Sequence, residues 1–137
     1  MQNWERSAWK GTRRLLADLP AESLWRGDAL RFPFHPALGP GSRPVEMLLF
    51  ELWGFDDVLG LVPVSGYKAG LPHCYFPKES QGVDRLTLET AWLHRNWNDW
   101  LVYEEWSDTL GETVLKPMPI MDTLVIRRSR PRPKMKL

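Results

Sequence analysis

Hydrophobic positions along the chain recur at helical spacing in two places and at extended spacing in several others. A helix over residues 3–18 is suggested because Trp4, Ala8, Leu15 and, just beyond that range, Leu19 fall within an arc of about 60° at helical spacing. Trp9 and Leu16 form a second seam beside them, so an N-terminal helix is expected, ended by Pro20. The clearest periodicity spans residues 86–101, where Leu86, Leu93, Trp97, Trp100 and Leu101 occupy about 100° of the wheel, the width of a core-facing stripe. Arg95, Asn98 and Asp99 lie opposite, and Trp92 falls near Arg95 and Asp99, away from the stripe.

Between these helices the pattern is extended. Leu30–Phe34 reads as a short strand leading into a loop whose prolines and glycines continue to residue 43 and are expected at the surface. Val45–Trp53 is apolar at both alternating sets of positions, as in a strand covered on both sides and central in a sheet. Gly54–Asp57 supplies a turn, and Val58–Val64 a second strand whose Pro63 removes one ladder donor. Ser65–Gly70 favours a reversal into a third strand at Leu71–Phe76, completing a β-meander. Polar residues 77–85 form a connection, and a final strand is expected at Thr123–Ile126. Strands and helices do not alternate regularly. The expected fold is therefore α+β, a single domain with an antiparallel sheet packed against the two helices.

Size and composition sharpen this picture in two respects. At 137 residues, with 43% hydrophobic and 26% charged positions, the chain suits one domain with a real core. Its net charge of +1 conceals a segregation: six of the 18 basic residues lie in the last eleven positions, which hold no acid. Residues 1–126 therefore carry 12 bases against 17 acids, net −5, and are read as the domain, with 127–137 as a disordered basic tail.

Catalytic signatures are missing from the sequence. It contains no GxGxxG, GxxxxGK[ST], GxSxG or HExxH pattern. Cys74 stands alone, which excludes an internal disulfide and points to a reducing, cytoplasmic setting. Its neighbour His73 would face the other side of a strand, so a Cys–His dyad is not expected. His35, His73 and His94 have no metal-site spacing, and neither a metal nor another cofactor is expected. Charges interrupt the N-terminal segment, and the longest apolar runs are four residues, such as Met47–Phe50, so neither a signal peptide nor a membrane span is expected. The glycines around Tyr67 and Lys68 could form a phosphate nest, but a tight reversal is the simpler reading.

A stronger signal is the acidic stretch between Arg95 and Lys116, which holds no base. Asp99, Glu104, Glu105, Asp108 and Glu112 lie there, with Trp100, Tyr103 and Trp106 interleaved. This is either a solvated loop or a docking surface for a basic partner, with an aromatic anchor supplying burial. Trp92, Asp99, Glu104, Glu105, Trp106, Asp108 and Glu112 form the candidate contact set, and Tyr67 and Lys68 a secondary surface. The tail admits a rival reading as a nucleic-acid contact, which the acidic body disfavours.

Four segments carry a family resemblance: Leu24-Trp25-Arg26-Gly27-Asp28-Ala29-Leu30-Arg31-Phe32-Pro33; Phe50-Glu51-Leu52; Val64-Ser65-Gly66-Tyr67-Lys68-Ala69-Gly70-Leu71; and Ala91-Trp92-Leu93 through Asn96-Trp97-Asn98-Asp99-Trp100. Together they resemble immunity protein family 45 of bacterial polymorphic toxin systems, over about residues 20–106. The resemblance implies a non-enzymatic antidote used in bacterial competition, including type VI secretion. Such a protein binds the C-terminal domain of a cognate toxin and blocks its active site or substrate access. With no export signal expected, the toxin would act in the cytoplasm, on nucleic acid, nucleotides or the translation machinery.

Overall fold

The computed structural model of the chain describes residues 11–33, 44–52, 54, 58–65, 68–83 and 86–128. In order, its elements are β1 (Gly11–Leu15), β2 (Ser23–Trp25), β3 (Ala29–Phe32), β4 (Val45–Glu51), β5 (Leu59–Pro63), β6 (Cys74–Tyr75), β7 (Thr87–Glu89), α1 (Thr90–Trp100), β8 (Val102–Ser107), β9 (Glu112–Pro117) and β10 (Leu124–Arg128). Short 3₁₀ turns occupy Leu16–Asp18 and Lys78–Ser80. Among the described residues no helix is long and apolar enough to cross a membrane.

A six-stranded antiparallel sheet in the order β1-β10-β3-β4-β5-β6 organises the molecule, with two-stranded ladders β2-β7 and β8-β9 beside it. The expected meander is its β4-β5-β6 portion, shortened at β6 to two residues, and the separately expected strand β3 pairs with β4. β4 is central, with Leu48 opposite both Ala29 and Val62. Val45, Met47 and Leu49 are buried on one face, whereas Glu46, Leu48 and Phe50 on the other are half-buried, so cover is complete on one side only. The covered face meets Leu93 and Trp97 of α1 and the buried Leu16, Leu19, Leu24 and Leu88 in a single core.

Residues 11–15 correct the expected N-terminal helix. They form β1, with Arg13 opposite Ile126 and Leu15 opposite Leu124. The apolar spacing of Leu16 and Leu19 is met by one 3₁₀ turn, which buries both, so no longer helix is needed. Pairing with β10 satisfies the backbone of a Gly-Thr-Arg-Arg run whose helix propensity is modest. The remainder of that expected helix, 3–10, lies outside the described residues.

The second helix is present but begins later, at Thr90. Thr87–Glu89 instead pairs with Ser23–Trp25 as β7, after Leu86 takes a left-handed backbone with φ 67°. Thr90 links helix and ladder, since its N–H donates to the Glu22 carbonyl and its Oγ1 accepts from the Glu22 N–H. Trp92 overturns the outward reading: it is only 7% exposed, edge-on to Phe76 at 5.9 Å and tilted against Trp100 at 5.7 Å. The segment around Phe76 and the turn at Lys78–Ser80 cover a second side of α1, which a single-stripe wheel cannot anticipate.

The chain is also folded further towards its end than expected. β10 extends through Arg128, and Arg127 is half-buried. Its guanidinium donates to Glu22 Oε2 at 2.8 Å and to the Ser23 carbonyl at 3.0 Å, and lies 3.7 Å from the buried Asp28 carboxylate. Arg127 thus belongs to the sheet, and the rest of the basic tail beyond Arg128 lies outside the described residues.

Candidate binding surface

The acidic stretch is a β-hairpin rather than a loop. α1 ends at Trp100, the chain passes through buried Leu101, and β8 pairs with β9 from Val102↔Pro117 to Ser107↔Glu112. A two-stranded hairpin has little stability of its own in water. This one is fastened at its base: the Met118 N–H donates to the Leu101 carbonyl, and the Trp97 indole N–H to the Met118 carbonyl, both at 2.7 Å. At the tip, Gly111 takes φ 66° and donates to the Ser107 carbonyl, a backbone conformation that glycine adopts without strain.

Strand alternation sorts the acids. Glu104 and Trp106 share one face with Leu115 and Thr113, so Leu115 lies directly opposite Glu104 and diagonal to Trp106. Glu105 and Glu112 project from the other face, where Glu105 approaches Lys116 at 3.9 Å. Asp108, in the turn, accepts from the Trp106 indole N–H at 3.0 Å. That bond orients an indole that remains 62% exposed. Asp99 is exposed too, but on the last turn of α1 rather than on the hairpin.

Lys68 stands across from this face. The reversal that carries it is closed by the Gly70 N–H donating to the Pro63 carbonyl and the Leu71 N–H donating to the Lys68 carbonyl, with Gly70 at φ 89°. Tyr67 lies outside the described residues. Between reversal and hairpin runs a cleft of about 390 Å³, whose lining includes Lys68, Leu71 and His73 on one side and Val102, Glu104 and Leu115 on the other. Glu104 of the primary candidate set and Lys68 of the secondary one therefore line the same depression, whereas Asp99, Glu105, Trp106, Asp108 and Glu112 do not line it. Leu71 and Leu115 escaped the sequence reading; Val114 and Leu115 are adjacent apolar residues in a short polar segment, which shows no alternation that could have found Leu115.

His73 connects the walls. Its Nε2 bonds the Trp100 carbonyl at 3.2 Å, and a carbonyl partner requires the proton on that nitrogen. Burial holds its pKa below the ordinary histidine value against that bond, and the Lys68 charge adds to the lowering. Burial also pushes the Cys74 thiol up to about 12, far from the thiolate a nucleophile needs. His94 bonds the Leu16 and Leu19 carbonyls and so fastens α1 to the 3₁₀ turn, while His35 lies outside the described residues. Among the described residues no group of three or more His, Cys, Asp or Glu side chains could hold a metal.

These features define a small α+β module that, among the described residues, presents an acidic, tryptophan-bearing hairpin beside a cleft. The model of the family described as Immunity protein 45 matches residues 16–114, and the chain belongs to that family. Membership carries an immunity role and implies a cognate toxin as partner. No curated protein matches the chain, and no solved structure does. The match runs from the first 3₁₀ turn into β9, leaving the mutually paired β1 and β10 outside it.

Within the matched region, the resembling segments chiefly build the fold. Trp25-Arg26-Gly27-Asp28 is a turn in which Gly27 takes φ 92°, while Asp28 Oδ2 accepts from the Trp25 N–H at 2.8 Å. Trp92, Leu93 and Trp97 are core residues.

Proposed function

We propose that this chain neutralises its cognate toxin by one-to-one binding that covers the toxin's active site or substrate path, acting as an antidote rather than an enzyme. The contacts are Glu104, Glu105, Trp106, Asp108 and Glu112 of the hairpin, joined by Asp99 on α1 and by Lys68 across the cleft. Trp92, buried in the core, is not among them. The observation that carries this reading is Trp106: a large aromatic side chain exposed to solvent, oriented by Asp108 and sharing a strand face with Glu104. Exposed Trp of this kind typifies binding anchors, and acids around it accelerate encounter with a basic surface. A site that holds a polyanion must be basic, so the hairpin's charge suits a toxin acting on nucleic acid or nucleotides in the cytoplasm.

Reversing Glu104, Glu105 and Asp108 to Lys tests the surface. Affinity for the toxin domain should fall by several kcal/mol, roughly the sum expected when three charges at a complementary interface change sign. Unchanged affinity and unchanged protection of cells would place the interface elsewhere. The rival nucleic-acid reading is weakened by Arg127, which is engaged with Glu22 and the Ser23 carbonyl inside the fold.

A further inference from the structure

The cleft beside the hairpin gives the docking surface a shape. We propose that it receives a protruding segment of the toxin carrying an apolar side chain next to a basic residue, a proposal that rests on the antidote reading above. Leu71 and Leu115 project from its opposite walls at 65% and 67% exposure, and Met47 and Met118 are buried at its base. Two exposed leucines facing one depression over a methionine floor suit an inserted apolar side chain. Glu104 lies on the hairpin wall and Lys68 on the other, so a basic residue of the incoming segment is attracted to one side and repelled by the other. That asymmetry fixes the direction of insertion.

Two further observations favour a polypeptide segment over a small molecule. The apolar strip does not end at the cleft: Trp106 continues the face of Glu104 and Leu115 towards the hairpin tip, so an occupant gains from being long. The walls are also held before binding, by the closed reversal at Pro63 and Gly70, the Leu101–Met118 bond and the His73–Trp100 bond between them. Prior order of this kind lowers the entropy lost when a protruding loop is clamped.

The test combines exchange and substitution, with the toxin domain encoded beside this chain as the probe. On complex formation, amides of residues 68–73 and 102–104 should both gain protection from hydrogen exchange. Leu71→Arg and Leu115→Arg should each weaken binding by at least about tenfold, while Val83→Arg, at an exposed position away from the cleft, leaves it unchanged. Protection confined to the hairpin tip, or tight binding by both arginine variants, would overturn the cleft proposal and leave the antidote reading standing. Failure of the unsubstituted chain to bind the toxin would overturn both. Because the exchange measurement uses the unsubstituted protein, it decides the question even if a variant fails to fold.

Discussion

The Trp97 indole N–H donates to the Met118 carbonyl at 2.7 Å in the protein interior, joining the helix to the point where the hairpin chain returns. Trp97→Phe keeps a ring against Phe32, whose centroid lies 6.0 Å away, but leaves a buried carbonyl without its donor. A loss of about 1–3 kcal/mol is expected in urea unfolding. Amides of residues 102–117 should exchange faster than those of the central strands; uniform change across the molecule would show that the bond does not anchor the hairpin.

Two tryptophans on neighbouring elements should behave in opposite ways. Trp92→Ala removes a side chain packed against Phe76 and Trp100, and should destabilise the fold by about 3–5 kcal/mol. Trp106→Ala, at an exposed position, should change stability by less than about 0.5 kcal/mol. It should nevertheless weaken toxin binding by about 2 kcal/mol or more. Thermal melts and titration calorimetry separate the two effects, and a melt unaffected by Trp92→Ala would contradict its placement in the core.

Asp99 sits where a negative charge is locally unfavourable, on the last helical turn beside the negative end of the dipole and without a basic residue in that turn. Asp99→Asn should therefore stabilise the protein by about 0.3–1 kcal/mol at low ionic strength. If Asp99 also faces the toxin, the same substitution slows association, with the difference shrinking as salt is added. A destabilised variant would show that Asp99 has a structural role instead.

His73 makes stability sensitive to mild acid. Because burial lowers its pKa in the folded state, the unfolded chain binds a proton more readily than the native one below the ordinary value of 6.5. Stability is thus present in full above that pH and declines as pH falls from there towards the depressed native value. His73→Gln retains a donor for the Trp100 carbonyl and should flatten this part of the profile. Parallel stability curves for the two proteins would rule out His73 as the source.

Much of the sheet was legible because strand alternation is a local signal. Val45–Glu51 is apolar at every position facing the core, and the glycines and proline around Ser65 mark the reversal. The hairpin at 102–117 was not legible. β8 interleaves acids with aromatics on both faces, and β9 holds only Val114 and Leu115 side by side among polar residues, so no apolar face stands out from the pattern. For the candidate site, composition identified the acids and Trp106, but a wheel with one buried stripe placed Trp92 outside a core that closes over it from two sides.

The sequence by itself determined the α+β class, the meander and the family, because alternation, turn residues and short motifs are properties of neighbouring positions. Only the tertiary structure decided that residues 11–15 extend the sheet beside β10, that Trp92 is interior, and that Lys68 and Glu104 line one cleft. Each of these depends on a contact between segments far apart in the chain, whose energy outweighs local preference without appearing in any local pattern.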